Sequence, residues 1–186
     1  MLGMTLIPKK FFLTKGTGIH EKDLRAFENA MIDAGIDVCN LIKTSSVIPA
    51  GCQLISKEEG MKLITPGQIT FAIVAQTQTN EPGQIISAGI AYAQPEDESL
   101  FGYMTEVEEA IGRTKEDVAE DVEEMVIETL ISKWGIKKDG EQIMKRGKKN
   151  YEIKNKKFKV DSFVETAKGN EDRLYTVVLV CAIFIL

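Results

Sequence analysis

Residues 34–54 read AGIDVCNLIKTSSVIPAGCQL, with two small hydroxyl residues, Ser45 and Ser46, at their centre. Residues 36–44 are short and rich in β-forming side chains, which predicts a buried strand running directly into the serine pair. Val47 and Ile48 are apolar, and Pro49 and Gly51 then punctuate a loop. A serine pair alone indicates only a hydroxyl turn at a strand end. The strand before it and the apolar, proline-terminated exit after it give this pair its interest.

Outward from that stretch, residues 8–15 (PKKFFLTK) predict a first strand, and Gly16 and Gly18 a turn. Residues 20–34 form an amphipathic helix in which Leu24, Phe27, Ala30, Met31 and Ala34 recur at three- and four-residue steps. Gly35 stands where a helix-ending glycine belongs. Downstream, residues 69–77 and 85–93 predict strands, joined through TNEPGQ (79–84) by hairpin-like turn chemistry. Residues 95–98 form an exposed turn before a strand over 100–107. Residues 114–134 are the longest helix, opened by a Thr114/Asp117 capping box and closed by Gly135. Its buried side is marked by Val118, Val122, Met125, Val126, Thr129 and Leu130. Residues 172–186 close the chain as a core strand. Few helices alternate with strands, so the expected class is α+β, with helices covering a mainly antiparallel sheet in a single domain.

A formal net charge of -5 argues against a nucleic-acid partner and favours a small molecule or further copies of the chain. The exception is residues 145–159 (KRGKKNYEIKNKKFK), read as a solvated surface hairpin. Cys39, Cys52 and Cys181 match no metal spacing and read as reduced structural cysteines. With a single histidine, His20, no site needing two is possible, and no metal is expected. The N-terminal residues lack the apolar run of a signal peptide, and the apolar C-terminal run is shorter than the roughly 20 residues that span a bilayer. The expectation is a cytoplasmic protein without membrane contact.

The usual catalytic frames are missing. No GxGxxG, GxxxxGK[ST] or GxSxG occurs. A serine triad would have to use His20, which lies among the charged residues Glu21, Lys22 and Asp23. Catalytic power must come from elsewhere.

The run NLIKTSSVIP (40–49) resembles the cleavage segment of the archaeal pyruvoyl-dependent arginine decarboxylases. PKKFFLTKGTG near the start resembles that family's first strand and turn, and AFENAMIDAGI (26–36) its first helix. EPGQIISAGIAYAQPEDESLFGYMTEVE (81–108) resembles its central strands and acid-bearing segment, and the residues from Val164 onward its closing strand. The likeness covers most of the chain in the right order; it is not drawn for the lysine-rich residues 145–159.

The resemblance implies an αββα sandwich, a homotrimer with sites at subunit interfaces, and autocatalytic cleavage between Ser45 and Ser46. The products would be residues 1–45 and 46–186, with Ser46 converted into a covalent pyruvoyl cofactor. The substrate implied is L-arginine, which forms a Schiff base with the pyruvoyl carbonyl and leaves as agmatine and carbon dioxide, feeding polyamine synthesis. Asn40, six residues before Ser46, falls on the same face of a continuous strand. The family places an assisting asparagine there, suited to donate to a transient oxyanion. The chemistry also needs a proton donor of raised pKa. Glu106 and Glu108 would face the same way along a strand, and the residues alone do not separate them; the resemblance favours Glu106. It also implies that Glu28, where the family usually carries an aspartate, meets the guanidinium, and that Leu24 lines the aliphatic stem. The rival readings are the same chemistry on another amino acid, a non-cleaving trimeric binding protein of this fold, and an RNA-associated protein using residues 145–159.

Overall fold

The structure, a computed structural model, describes residues 6–136, 143–145 and 149–186. Its elements run β1 (Lys10–His20), α1 (Asp23–Ala34), β2 (Asn40–Lys43), β3 (Val47–Ile48), β4 (Gln53–Leu54), α2 (Lys57–Met61), β5 (Ile69–Thr79) and β6 (Ile85–Pro95). β7 (Gly102–Ile111), α3 (Lys115–Lys133), β8 (Met144–Lys145), β9 (Asn150–Ile153), β10 (Lys156–Lys168) and β11 (Tyr175–Ile185) follow.

The strands form two sheets, ordered β2-β5-β11-β1-β4 and β3-β7-β6-β10-β9-β8. Pairing is antiparallel except between β1 and β4 and between β2 and β5. α1 covers the outer face of the first sheet and α3 that of the second, with an apolar layer between the sheets. This is the αββα sandwich, α+β in class. No described helix is long and apolar enough to cross a membrane.

Alternation along the strands explains the layers. On β11, Val178, Val180, Ala182 and Phe184 enter the layer between the sheets, while Val177, Leu179, Cys181 and Ile183 face α1. With both faces covered, the strand reads as an unbroken apolar run. α3 buries Val118, Val122, Val126 and Leu130 at four-residue steps, flanked by Ile127 and Ile131. Each such side chain contributes about 1.5–3 kcal/mol when fully buried. Thr114 and Asp117 form the expected capping box, satisfying the helix's first amides.

Several sequence expectations need correction. Gly16 and Gly18 make no turn; they lie inside β1, which continues to His20 and pairs with β11 along its whole length. A Cβ on Gly16 would sit 2.2 Å from the Ala30 carbonyl oxygen, and one on Gly18 2.0 Å from that of Ala26. The glycines are there because α1 rests on the strand backbone to backbone. The helix starts at Asp23, not at residue 20, and buries mainly the small residues Ala26, Ala30 and Ala34 with Met31, while Leu24 is 66% exposed. Close contact selects small side chains, which a reading based on large apolar residues inverts.

Residues 79–84 do not close a hairpin either. β5 belongs to the first sheet and β6 to the second, so the turn is an arch between layers. The predicted strand over 36–44 shrinks to Asn40–Lys43, and it is a largely exposed sheet edge, not a buried strand. The short α2, with its own Ser56/Glu59 capping box, went unread in the sequence. In the basic segment, β9 and β10 do form a hairpin, turned by Lys154 and Asn155, both at positive φ. One of its faces is buried through Ile153 and Phe158. Residues 146–148 of that segment lie outside the described residues.

Candidate active site

β2 and β3 follow one another in sequence, yet each stands at the edge of a different sheet. Residues 44–46 therefore cross from one sheet to the other along the open side of the sandwich. On the first side, the Thr44 amide donates to the Ala72 carbonyl at 3.0 Å. On the second, the Ser46 carbonyl accepts from the Met104 amide at 2.8 Å, and Val47 and Ile48 pair with Tyr103 and Gly102 of β7. Ile48, 1% exposed, anchors the landing in the core. The peptide between Ser45 and Ser46 is thus slung between two fixed points. Ser45 is exposed and borders a cavity of about 180 Å³ with Thr44, Val47, Pro49 and Phe71, whereas Ser46 is buried.

β7 carries the acid. Gly102, Met104, Glu106 and Glu108 share the strand face that looks toward the first sheet. Met104 is fully buried there, and Glu106 emerges where the layer opens. The Ser46 hydroxyl donates to Glu106 Oε2 at 3.4 Å, a long contact. Although the Glu106 side chain is exposed, partial burial of its carboxyl raises its pKa above the usual glutamate value. The Ser46 hydroxyl opposes that rise, Glu108 adds to it and Lys43 opposes it. Glu108 is placed differently: its Oε1 lies 2.9 Å from Lys43 Nζ in an ion pair. The geometry separates the two carboxylates that the sequence left together.

A β-bulge follows at once. Gly89 pairs with Val107 and Ser87 with Ala110, so Glu108 and Glu109 together oppose the single residue Ala88. Glu109 takes a positive φ of 56°. The extra residue reverses the facing: Ala110 packs toward α3, where unbroken alternation would send it toward the first sheet. Thr77, reaching across from β5, fills the opened ladder; its hydroxyl accepts from the Ala110 amide at 3.2 Å and donates to the Ser87 carbonyl at 2.6 Å.

A serine hydroxyl, a carboxyl of raised pKa and a peptide anchored on either side thus meet at one place. The family model for pyruvoyl-dependent arginine decarboxylase matches residues 10–186. The chain belongs to the pyruvoyl-dependent arginine decarboxylase family. A protein of Nitrosopumilus maritimus named pyruvoyl-dependent arginine decarboxylase is 37% identical over 182 residues, 98% of this chain and 99% of that protein. One of Methanococcoides burtonii with the same name is 35% identical, covering 97% of this chain and 100% of the relative. A "probable" pyruvoyl-dependent arginine decarboxylase of Chlorobaculum tepidum is 38% identical over 98% of this chain and 99% of its own length.

The family name implies a covalent pyruvoyl group, which the resemblance derives from Ser46, so the question of fit is how Ser46 is held. Its carbonyl is bound by Met104, its hydroxyl meets Glu106 and its side chain is shielded; the residues fit the group. The other residues singled out in the sequence are not brought to Ser46 within one chain. Asn40 opens β2, about 10 Å of strand before Lys43 at roughly 3.3 Å per residue, and its amide donates to the Gly67 carbonyl at 2.8 Å. The alternation argument linking Asn40 to Ser46 fails because the strand stops at Lys43 and the chain changes sheets. Leu24 and Glu28 lie on α1, on the far face of the first sheet from the layer that holds Glu106. Sequence reasoning missed Lys43 and Thr77. Lys43 was visible as a cation three residues before Ser46, whereas nothing local marks Thr77.

Proposed function

We propose that this chain cuts its own backbone between Ser45 and Ser46, turns Ser46 into a pyruvoyl group, and decarboxylates L-arginine to agmatine and carbon dioxide. The observation that carries the reading is the contact of the Ser46 hydroxyl with Glu106 beside a peptide held between two sheets. The names of the relatives supply the substrate.

In processing, Ser46 Oγ attacks the Ser45 carbonyl carbon. The peptide C–N bond breaks, an ester forms and the freed amine of residue 46 takes up a proton. Elimination then removes the Cα proton of residue 46 to a base as the Cβ–Oγ bond breaks, releasing the Ser45 carboxylate and leaving dehydroalanine. Its hydrolysis takes up water, releases ammonia and leaves the pyruvoyl carbonyl. Glu106 is placed to take the hydroxyl proton at the start.

In turnover the pyruvoyl group supplies a sink for the electrons of the breaking carbon–carbon bond. Glu106, whose partly buried carboxyl holds a proton more readily than a free glutamate does, is the group placed to deliver a proton to the carbon that lost carbon dioxide. Glu28 receives the guanidinium, Leu24 packs on the aliphatic stem, and Asn40 donates to the oxyanion. Because these three lie away from Ser46 in one chain, the reading includes a homotrimer whose sites are completed by a neighbouring subunit. A cytoplasmic location completes the reading.

Intact mass under denaturing conditions tests it. Fragments 1–45 and 46–186 are expected, the second lighter by one ammonia than a serine-ended chain, while Ser46→Ala stays whole and releases no carbon dioxide from arginine. An uncut wild-type chain that gained no carbonyl reactivity on warming would leave only a binding protein of this fold. A cut chain turning over another amino acid in preference to arginine would keep the chemistry and overturn the substrate.

A further inference from the structure

Lys43 is the last residue of β2, in the first sheet, and Glu108 opens the bulge of β7, in the second. Their 2.9 Å ion pair spans the gap that residues 44–46 cross. The crossing has backbone anchors at Thr44 and Ser46, with Ser45 between them. Any change in the spacing of the two sheets at this edge therefore falls on the peptide that must be attacked.

We infer that Lys43 is a positioning residue for self-processing: its ion pair with Glu108 ties the two sheets together beside the scissile peptide and sets the approach of Ser46 Oγ to the Ser45 carbonyl. The inference rests on the processing reading above and deepens it. The pair also settles the charge that Glu106 meets. Among the described residues, Lys43 and Glu108 are the charged groups that act on Glu106, together with the hydroxyl of Ser46; β5, packed alongside, has no ionisable side chain. Removing Lys43 leaves Glu108 uncompensated, which favours a protonated Glu106 and moves the pH midpoint of cleavage upward.

Both partners are substantially solvated, with side chains 60% and 41% exposed, so the effect is modest and salt-dependent. Precursor made by cell-free synthesis and followed by mass should show Lys43→Met cleaving about two- to fivefold more slowly, with its pH midpoint raised. Lys43→Arg should stay near wild type, and Lys43→Glu combined with Glu108→Lys should recover most of the rate. Wild-type cleavage should slow as salt is added, and Lys43→Met should lose that sensitivity. A general loss of stability would not reproduce the salt and charge-swap pattern. If wild-type chain cleaves while Lys43→Met matches it in rate, pH midpoint and salt response, the clamp is wrong and the processing reading stands. If wild-type chain never cleaves at Ser45–Ser46, both fall together.

Discussion

The seam between α1 and β1 and the crossing at residues 44–46 are neighbours in sequence and opposites in construction. At the seam, helix carbonyls lie where glycine Cβ atoms would be, and nothing larger than hydrogen fits. At the crossing, the chain is held by two backbone hydrogen bonds, the Ser46 hydroxyl contact with Glu106 and one solvated ion pair, with Ser45 exposed. One region supplies rigidity through close packing. The other supplies reach, as the proposed attack on its peptide requires. Stability and reactivity are therefore separable by substitution.

The largest expected effect lies at the seam. Gly18→Ala places a methyl group about where the Ala26 carbonyl oxygen already sits and should destabilise by about 3 kcal/mol. Urea unfolding in a Ser46→Ala background, which removes cleavage from the comparison, would measure it. A loss below about 1 kcal/mol would mean that α1 slides away easily and the contrast is overdrawn.

An intermediate effect is expected at Thr77, which belongs to neither region but governs the bulge beside the crossing. Thr77→Val leaves the buried Ala110 amide and Ser87 carbonyl without the hydroxyl between them, at about 1–3 kcal/mol. Thr77→Ser should recover most of that loss, and cleavage should slow in the valine variant beyond what its unfolded fraction explains. Equal cleavage rates would detach the bulge from the site.

The smallest effect has the opposite sign. Glu106 titrates above the usual glutamate range in the folded chain. The stability this group contributes is full below the ordinary value of about 4.3 and is lost as pH rises through the raised one. In the Ser46→Ala background, Glu106→Gln should therefore melt slightly higher at neutral pH, and the gap should close as pH falls below about 4. A glutamine variant that melts lower at neutral pH would show that the ionised carboxylate is stabilising, contrary to the role given to it.

How legible these regions were in the sequence follows from how local their signals are. The apolar run of β11 and the capping box of α3 were readable because each depends on residues next to one another in the chain. Gly16 and Gly18 were misread as a turn because a glycine required by a neighbouring helix looks the same as one required by φ. The arch at residues 79–84 was misread because turn chemistry does not say which sheet receives the next strand. At the site, Ser46 and Glu106 were legible through resemblance, and the structure puts them in contact. The partner of Glu108, the break in the strand after Lys43 and the bulge with its threonine are long-range facts that periodicity does not carry. The alternation linking Asn40 to Ser46 failed for the same reason.

The position of β1 between β11 and β4 has a kinetic consequence. β1 joins the last strand of the chain along eleven residue pairs, from Lys10↔Ile185 to His20↔Tyr175. The proposed cut between Ser45 and Ser46 would leave that strand, α1 and β2 on one polypeptide and the rest of their sheet on another. Each intact precursor chain would form its own sandwich by a unimolecular step. The processed molecule, once fully unfolded, must find its other half by collision, so recovery becomes second order and fails at low concentration. Maturation would then turn a reversible folder into one whose persistence depends on never coming apart.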